Sequence, residues 1–573
     1  MTEETATSHP EDRHLFRHLG FWQLTAIAIS GVIGSGWLLS AMFASQAAGP
    51  ASIITWVVGG GALLLIALVM VELGASRPES GGLVRWPQAT SGGLAATIVG
   101  CGIWIAYATN PPSESAAMLQ YMAKYVPGLY HGTRLTVAGI GVAVILMAIF
   151  VAVNWFGVRL FARVNSAVTA LKVVVPTLSV IVLLIAVLTS GHSATANYTA
   201  HGFAPYGFPA SLSAIATAGI IYAYTGFQGP LDLSGEARDP RRDVPRAVIV
   251  GLLLSMVIYL ALQAVFIAVL PHSMLAHGWA GINLTSPFAQ LALSLNLTWL
   301  SWVLYADAIV SPGGSALTFT ATISREAYGM AKNAIIPTGI ARIDRRSGVP
   351  RRALVLNFVI GLVFLLLLPS WHSIVAATSE LGLFAYSMTA ISQQAFRRYD
   401  PDGQAGWIRG TTVIAPVSFV IATLILYWAT WTELRIALPL LLIAVVVYAV
   451  NMRLVRRRAR QARGTGPGAG ALRAGFRADL RGGAWLVVYL ALVLLMSGLG
   501  SHSFGGTGLI PAPWDSVVVA VIGLAAYFRG VADATAFLRT AGPGGAPAEG
   551  GAPAEGSAEA ASGAEATARP EVR

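Results

Sequence analysis

The chain has 573 residues, 55% of them hydrophobic and 11% charged, and a formal net charge of +11. A soluble domain carries about 25% charged residues, so a soluble globular fold is excluded. The apolar residues fall into blocks of about 20, the length that crosses a hydrocarbon core of about 30 Å. Spanning helices satisfy the backbone in lipid, whereas a barrel would show alternating runs of about 10 residues.

Residues 1–20 form a polar N-terminal segment that carries acids and does not read as a signal peptide. Spanning segments are then predicted at 21–47, 50–76, 94–123, 135–154, 165–190, 210–234, 246–271, 296–322, 353–370, 372–394, 410–430, 434–453, 484–500 and 514–531. The first contains Gly31, Gly34 and Gly36, which weaken a helix by about 1 kcal/mol each relative to alanine. Cys101, the single cysteine, lies in an apolar run and reads as a buried small residue. Asn110-Pro111-Pro112 predicts a kink just before Glu114. Gly226, Gly229 and Pro230 interrupt the sixth segment, where proline removes a donor and crowds the preceding turn. Residues 454–483 form a basic, glycine-rich linker that predicts a solvated cytoplasmic loop near anionic headgroups. Residues 541–573 are rich in Gly, Ala, Pro and Glu and predict a disordered tail.

The basic residues test this order. With the N-terminus inside and the segments alternating, only Lys124, Arg134 and Arg435 of the 37 Lys+Arg fall on the outer side. That asymmetry predicts cytoplasmic termini in a multi-pass protein of the cytoplasmic membrane. It also explains the positive charge without a nucleic-acid partner.

The two glycine-interrupted helices lie five segments apart. Segments 21–190 and 210–394 therefore read as two five-helix repeats that enter the membrane from opposite sides, followed by helices 11–12 (410–453) and 13–14 (484–531). Interrupted helices at matching positions of inverted repeats mark a transporter binding site. Their free N–H groups suit a carboxylate and their free carbonyls an ammonium. Helix-packing glycines are the simpler alternative. A dinucleotide fingerprint is excluded, because no strand precedes the glycines. His192, His201 and His272 lack metal-ligand spacing, and no cofactor is expected.

Gly31-Val32-Ile33-Gly34-Ser35-Gly36 resembles the helix-1 motif of the amino acid–polyamine–organocation (APC) family. Gly235 to Ala247 resembles its signature loop after helix 6, and Ser324-Arg325-Glu326-Ala327-Tyr328 its turn after helix 8. The likeness covers about residues 18–450. Within the family, Gly34 to Leu38, Phe203 to Phe208, Asp307 to Gly314, Tyr427-Trp428 with Trp431, and Ser503-Phe504-Gly505 are similar to bacterial aspartate–proton symporters. The resemblance implies a 5+5 inverted-repeat core. It places a substrate carboxylate on Ser30, Gly31, Ile33, Gly34, Ser35 and Gly36, and a substrate amine on carbonyls of Tyr222, Ala223, Tyr224 and Thr225. Tyr222 becomes an aromatic gate. Many relatives carry glutamate where this chain has Gln228, which cannot take a proton.

Ionisable side chains within spans are expensive and usually functional. Lys172 is the one lysine inside a predicted helix; relatives often carry a lysine there, near where sodium-coupled cousins bind a cation. Its alternative role is snorkelling to the interface. Asp307, four residues before Ser311, Glu114 and Glu380 are the other proton-coupling candidates, each set against a purely structural role. Ser311 is a candidate for a substrate side-chain carboxylate, since no arginine lies mid-bundle. Scattered singlets do not make a membrane enzyme, and internal, inverted breaks suit alternating access better than a symmetric channel pore. The expectation is uptake of amino acids, with protons, as symport of aspartate or glutamate. Exchange, a neutral-amino-acid permease and a transport-fold nutrient sensor are the alternatives.

Overall fold

The computed structural model describes residues 18–541, apart from 80, 133, 190–194, 345 and 462–468. The polar N-terminal segment up to residue 17 and the tail after 541 lie outside the described residues. The protein is an all-α polytopic membrane protein. Its helices are α1 (Phe21–Val32), α2 (Gly36–Ala48), α3 (Ser52–Ser76), α4 (Gly82–Ala108), α5 (Asn110–Met122), α6 (Val137–Trp155) and α7 (Val158–Thr189). There follow the short α8 (Ala196–Thr199), α9 (Gly207–Thr217), α10 (Ile220–Tyr224), α11 (Gly229–Asp232), α12 (Pro240–Val269), α13 (Pro287–Ser294) and α14 (Thr298–Lys332). The described residues end with α15 (Arg351–Leu367), α16 (Trp371–Tyr399), α17 (Thr411–Trp428), α18 (Trp431–Gln461), α19 (Ala469–Leu499) and α20 (Trp514–Ala541).

Among the described residues, 10 helical segments are long and apolar enough to cross a membrane. One of them, Phe21–Ser76, has 56 residues. At about 1.5 Å per residue it is too long for one crossing, and it holds the first two predicted spans. Three predicted spans miss that criterion yet are helical. Residues 210–234 are broken into α9, α10 and α11, α14 carries buried polar residues, and α15 has 17 residues. Exposed apolar side chains on α6, α7, α15 and α20, such as Ile149, Ile181, Leu366 and Val521, face the hydrocarbon as a spanning bundle requires.

Three local expectations are corrected. Ser324–Tyr328 is not a turn: it is buried inside α14, which runs on to Lys332, with Arg325 paired to Glu236 within the bundle. Helix 7 starts at Pro240 rather than 246, with proline in its first turn, where its missing N–H costs nothing. The linker at 454–483 is helical at both ends, since α18 reaches Gln461 and α19 begins at Ala469; its centre lies outside the described residues.

The final helix pair is built into the core. α4 is broken at Gly92 (φ 79°, ψ −177°). The Gly93 N–H freed there donates to Asp479 of α19 at 3.0 Å, and Tyr448 of α18 donates to the same carboxylate at 2.7 Å. At the other end, Asp515 of α20 accepts from Tyr427 at 2.7 Å and from the Ser501 N–H at 3.2 Å.

A buried ion pair joins the turn between α11 and α12 to α14: Arg325 donates through two nitrogens to Glu236, each at 2.8 Å. Arg325→Ala would strand a buried carboxylate and is expected to cost about 3–5 kcal/mol. The check is thermal unfolding of the detergent-solubilised protein, with Arg325→Met/Glu236→Leu recovering most of the loss.

Candidate functional site at the paired helix breaks

α1 ends at Val32 and α2 starts at Gly36, so the last carbonyls of one helix and the first N–H groups of the next lack intrahelical partners. In lipid each such group must be satisfied, and four other helices do so. Lys172 Nζ of α7 donates to the Ser30 carbonyl at 2.5 Å and contacts its hydroxyl at 3.1 Å. Ser315 of α14 donates to the Gly31 carbonyl at 3.2 Å. Tyr259 of α12 donates to the Val32 carbonyl at 2.7 Å. On the donor side, the Ser35 N–H donates to the Glu114 carboxylate of α5 at 2.7 Å. Ile33 and Gly34 turn the chain by donating back to Ile29 and Val32.

The second break faces the first. Thr225 is extended (φ −66°, ψ 142°) and Gly226 takes φ 121°, a region open to glycine. The Gly226 N–H donates to the Gln228 side chain at 2.9 Å, so an uncharged amide caps the break. The two breaks cross at glycine: a Cβ on Gly31 would lie 2.6 Å from the Gly226 carbonyl oxygen, and one on Gly36 would lie 2.7 Å from Ala223. α10 is a detached fragment because Gly219 (φ 78°) precedes it; Ser40 donates to the Gly219 carbonyl at 3.1 Å.

Tyr222 connects the breaks. Its hydroxyl donates to Glu114 at 3.0 Å, lies 2.6 Å from Ser113, and accepts from Asn110 at 3.1 Å. Its ring meets Trp371 edge-on with centroids 5.8 Å apart, and Trp371 donates to the Ser35 hydroxyl at 2.7 Å. Tyr224 points elsewhere, packing against Trp56 and Tyr259.

The ionisable candidates divide. Lys172, Glu114 and Asp307 are buried and form one electrostatic group, with the ammonium acting on both carboxyls. Asp307 and Ser311, one helical turn apart on α14, face one another, and neither the carboxyl oxygens nor the hydroxyl makes a well-formed hydrogen bond. Glu380 on α16 is also buried and unpartnered, and its electrostatic neighbour is Glu433. Asn110, Ser113, Tyr259, Ser315 and Trp371 had no signal of their own, except that Asn110 opens the predicted kink.

A membrane bundle in which two interrupted helices cross and present freed backbone groups to lone buried charges belongs to the class of secondary transporters. An amino acid permease family model matches residues 19–526. The glutamate/serine transporter AimA of Bacillus subtilis is 37% identical over 521 residues, 90% of this chain and 93% of that protein. The aspartate–proton symporter of the same organism is 30% identical over 517 residues, 89% of this chain and 95% of that protein. Human cationic amino acid transporter 4 is 27% identical over 412 residues, 68% and 62% of the two chains. The chain belongs to the amino acid permease family, within the APC family to which its motifs pointed, and is an amino acid transporter rather than an enzyme.

The glycine crossing yields a direct test. Gly31→Ala overpacks the Gly226 backbone and is expected to cost about 1–3 kcal/mol and to suppress transport. Gly61→Ala on α3, where an added Cβ meets nothing within 4 Å, should change neither. Thermal unfolding and uptake by the two variants check this.

Proposed function

We propose that the protein takes up acidic amino acids, aspartate or glutamate, together with protons by alternating access. The observation that carries this reading is the carboxylate of Glu114 seated on the Ser35 N–H. A side-chain carboxylate held by the helix break has the chemistry that a substrate carboxylate needs there. The Ala223 to Thr225 backbone opposite offers carbonyls to an ammonium, and the Ser311 hydroxyl, which faces Asp307 without a well-formed hydrogen bond, would donate to a second substrate carboxylate. The names of the glutamate/serine and aspartate–proton relatives support the substrate class.

Charge explains why a proton accompanies the substrate. An anionic substrate entering beside Glu114 repels its carboxylate, since like charges at contact in a buried site do not both stay ionised. Protonation of Glu114 removes the repulsion and frees the Ser35 N–H for the substrate. Lys172 holds the Ser30 carbonyl while the break is closed and balances the remaining carboxyl, with Asp307 as the second proton acceptor. Tyr222 then closes over the substrate, the helices carrying the breaks rock against the rest of the bundle, and deprotonation on the inner side releases both.

In this reading residues 21–190 and 210–394 are the inverted repeats, and both termini face the cytoplasm of a bacterial-type cell membrane. The serine in one relative's name favours a second reading, a permease that also accepts neutral amino acids.

The test is uptake of radiolabelled aspartate into proteoliposomes with and without an inward proton gradient. The wild type should accumulate aspartate only with the gradient, with glutamate competing and leucine and arginine not. Glu114→Gln should lower gradient-driven accumulation by about ten-fold or more. Uptake that ignores the gradient and needs internal amino acid would make the protein an exchanger. Competition by serine would support the broader permease. Full pH-driven uptake by both Lys172→Ala and Asp307→Asn would remove Lys172 as the charge-balancing group and Asp307 as the second proton acceptor.

A further inference from the structure

A second charged cluster lies beyond the helix-6 break and takes no part in the site just described. α11 packs on α14: a Cβ on Gly229 would lie 3.6 Å from the Thr322 methyl group. One turn further along both helices stand Asp232 and Glu326, each fully buried. Their carboxyls face one another, and the Tyr107 hydroxyl of α4 faces Asp232. Tyr386 of α16 links Tyr107 to Thr225 at the break. None of the four carboxyl oxygens, and neither tyrosine hydroxyl, has a well-formed hydrogen bond. Two acids in contact, away from water and ringed by unused hydroxyl donors, are arranged to hold a proton between them rather than two negative charges.

Among the described residues, the surrounding elements offer no uncommitted cation to replace that proton. Arg325, next to Glu326 on α14, is committed to Glu236 at 2.8 Å. α1 carries no charged side chain, and Arg241, Arg242 and Arg246 of α12 are exposed, with Asp243 beside them. Arg85 of α4 pairs with Glu79 at 3.0 Å. Arg397 and Arg398 lie in the last turn of α16, and Glu380 is nearer its start. Glu114 of α5 and Lys172 of α7, which also pack on α14, are engaged at the helix-1 break, Arg163 of α7 is exposed, and on α14 itself Asp307 interacts with Lys172 and Lys332 lies over the Tyr328 ring. Arg351 and Arg352 begin α15, and α6 and α13 bear no charged residue.

We propose that Asp232 and Glu326 form a proton-binding carboxyl pair that latches α11 to α14 and releases its proton to the cytoplasmic side when the inner pathway opens. With the proton shared, one acid donates to the other and the helices stay together. When the proton leaves to water, both carboxylates are ionised and their repulsion separates α11 from α14. Reprotonation closes the latch. The proposal rests on the proton-coupled reading above, and it gives the protein a proton site that does not touch substrate.

The experiment compares wild type, Asp232→Asn, Glu326→Gln and the double variant in proteoliposomes. It measures gradient-driven accumulation of aspartate, counterflow exchange at equal pH, and the infrared carbonyl stretch of protonated carboxyls. Thermal unfolding confirms that each variant is folded. Each single variant should lower gradient-driven accumulation by about ten-fold or more, with counterflow retained. Each should also lose a pH-dependent protonated-carboxyl band that the wild type shows. A wild type that ignores the gradient would refute the coupled reading, while the band and its loss would still report the shared proton. A coupled wild type whose folded double variant keeps both accumulation and band would overturn the pair itself.

Discussion

Breaking a helix inside a bilayer strands backbone groups where no water can satisfy them, and the rest of this structure is arranged around that cost. Lys172, Ser315 and Tyr259 take the last three carbonyls of α1, and Glu114 takes the first usable N–H of the following turn. These partners come from α7, α14, α12 and α5. The break is therefore a hub where otherwise separate helices meet, and any motion that opens it must exchange these bonds for others. A substrate with one carboxylate and one ammonium can supply both replacements.

The same constraint recurs at smaller scale. Gln228 satisfies the Gly226 N–H at the second break, and Asp479 satisfies Gly93 where α4 is interrupted. Asp479 belongs to the final helix pair. α19 and α20 thus complete a broken helix of the core and tie it to α17 and α18, a role distinct from the substrate site.

Much of this was legible in the sequence because glycine and proline act locally. The breaks at Gly31–Gly36 and Gly226–Pro230 were readable from composition alone, and the fourteen apolar blocks from length. Gly92 and Gly219 were missed because a lone glycine in a helical run is usually tolerated; what makes each a break is a partner elsewhere, Asp479 or Ser40. Ser324–Tyr328 was misread as a turn because a motif gives no length, whereas the buried Arg325–Glu236 pair lets α14 continue. The pairing of Glu114 with Ser35, 79 residues away, and the meeting of Asp232 with Glu326, are set by how helices pack. No spacing rule in one sequence encodes them.

The central claim is that Glu114 occupies a position that a substrate carboxylate takes over. A structure determined with aspartate bound tests it most directly. The account predicts a substrate carboxylate on the Ser35 N–H, with the Glu114 carboxyl turned away from it and still within reach of Tyr222. Aspartate bound elsewhere, with Glu114 unmoved on Ser35, would contradict it.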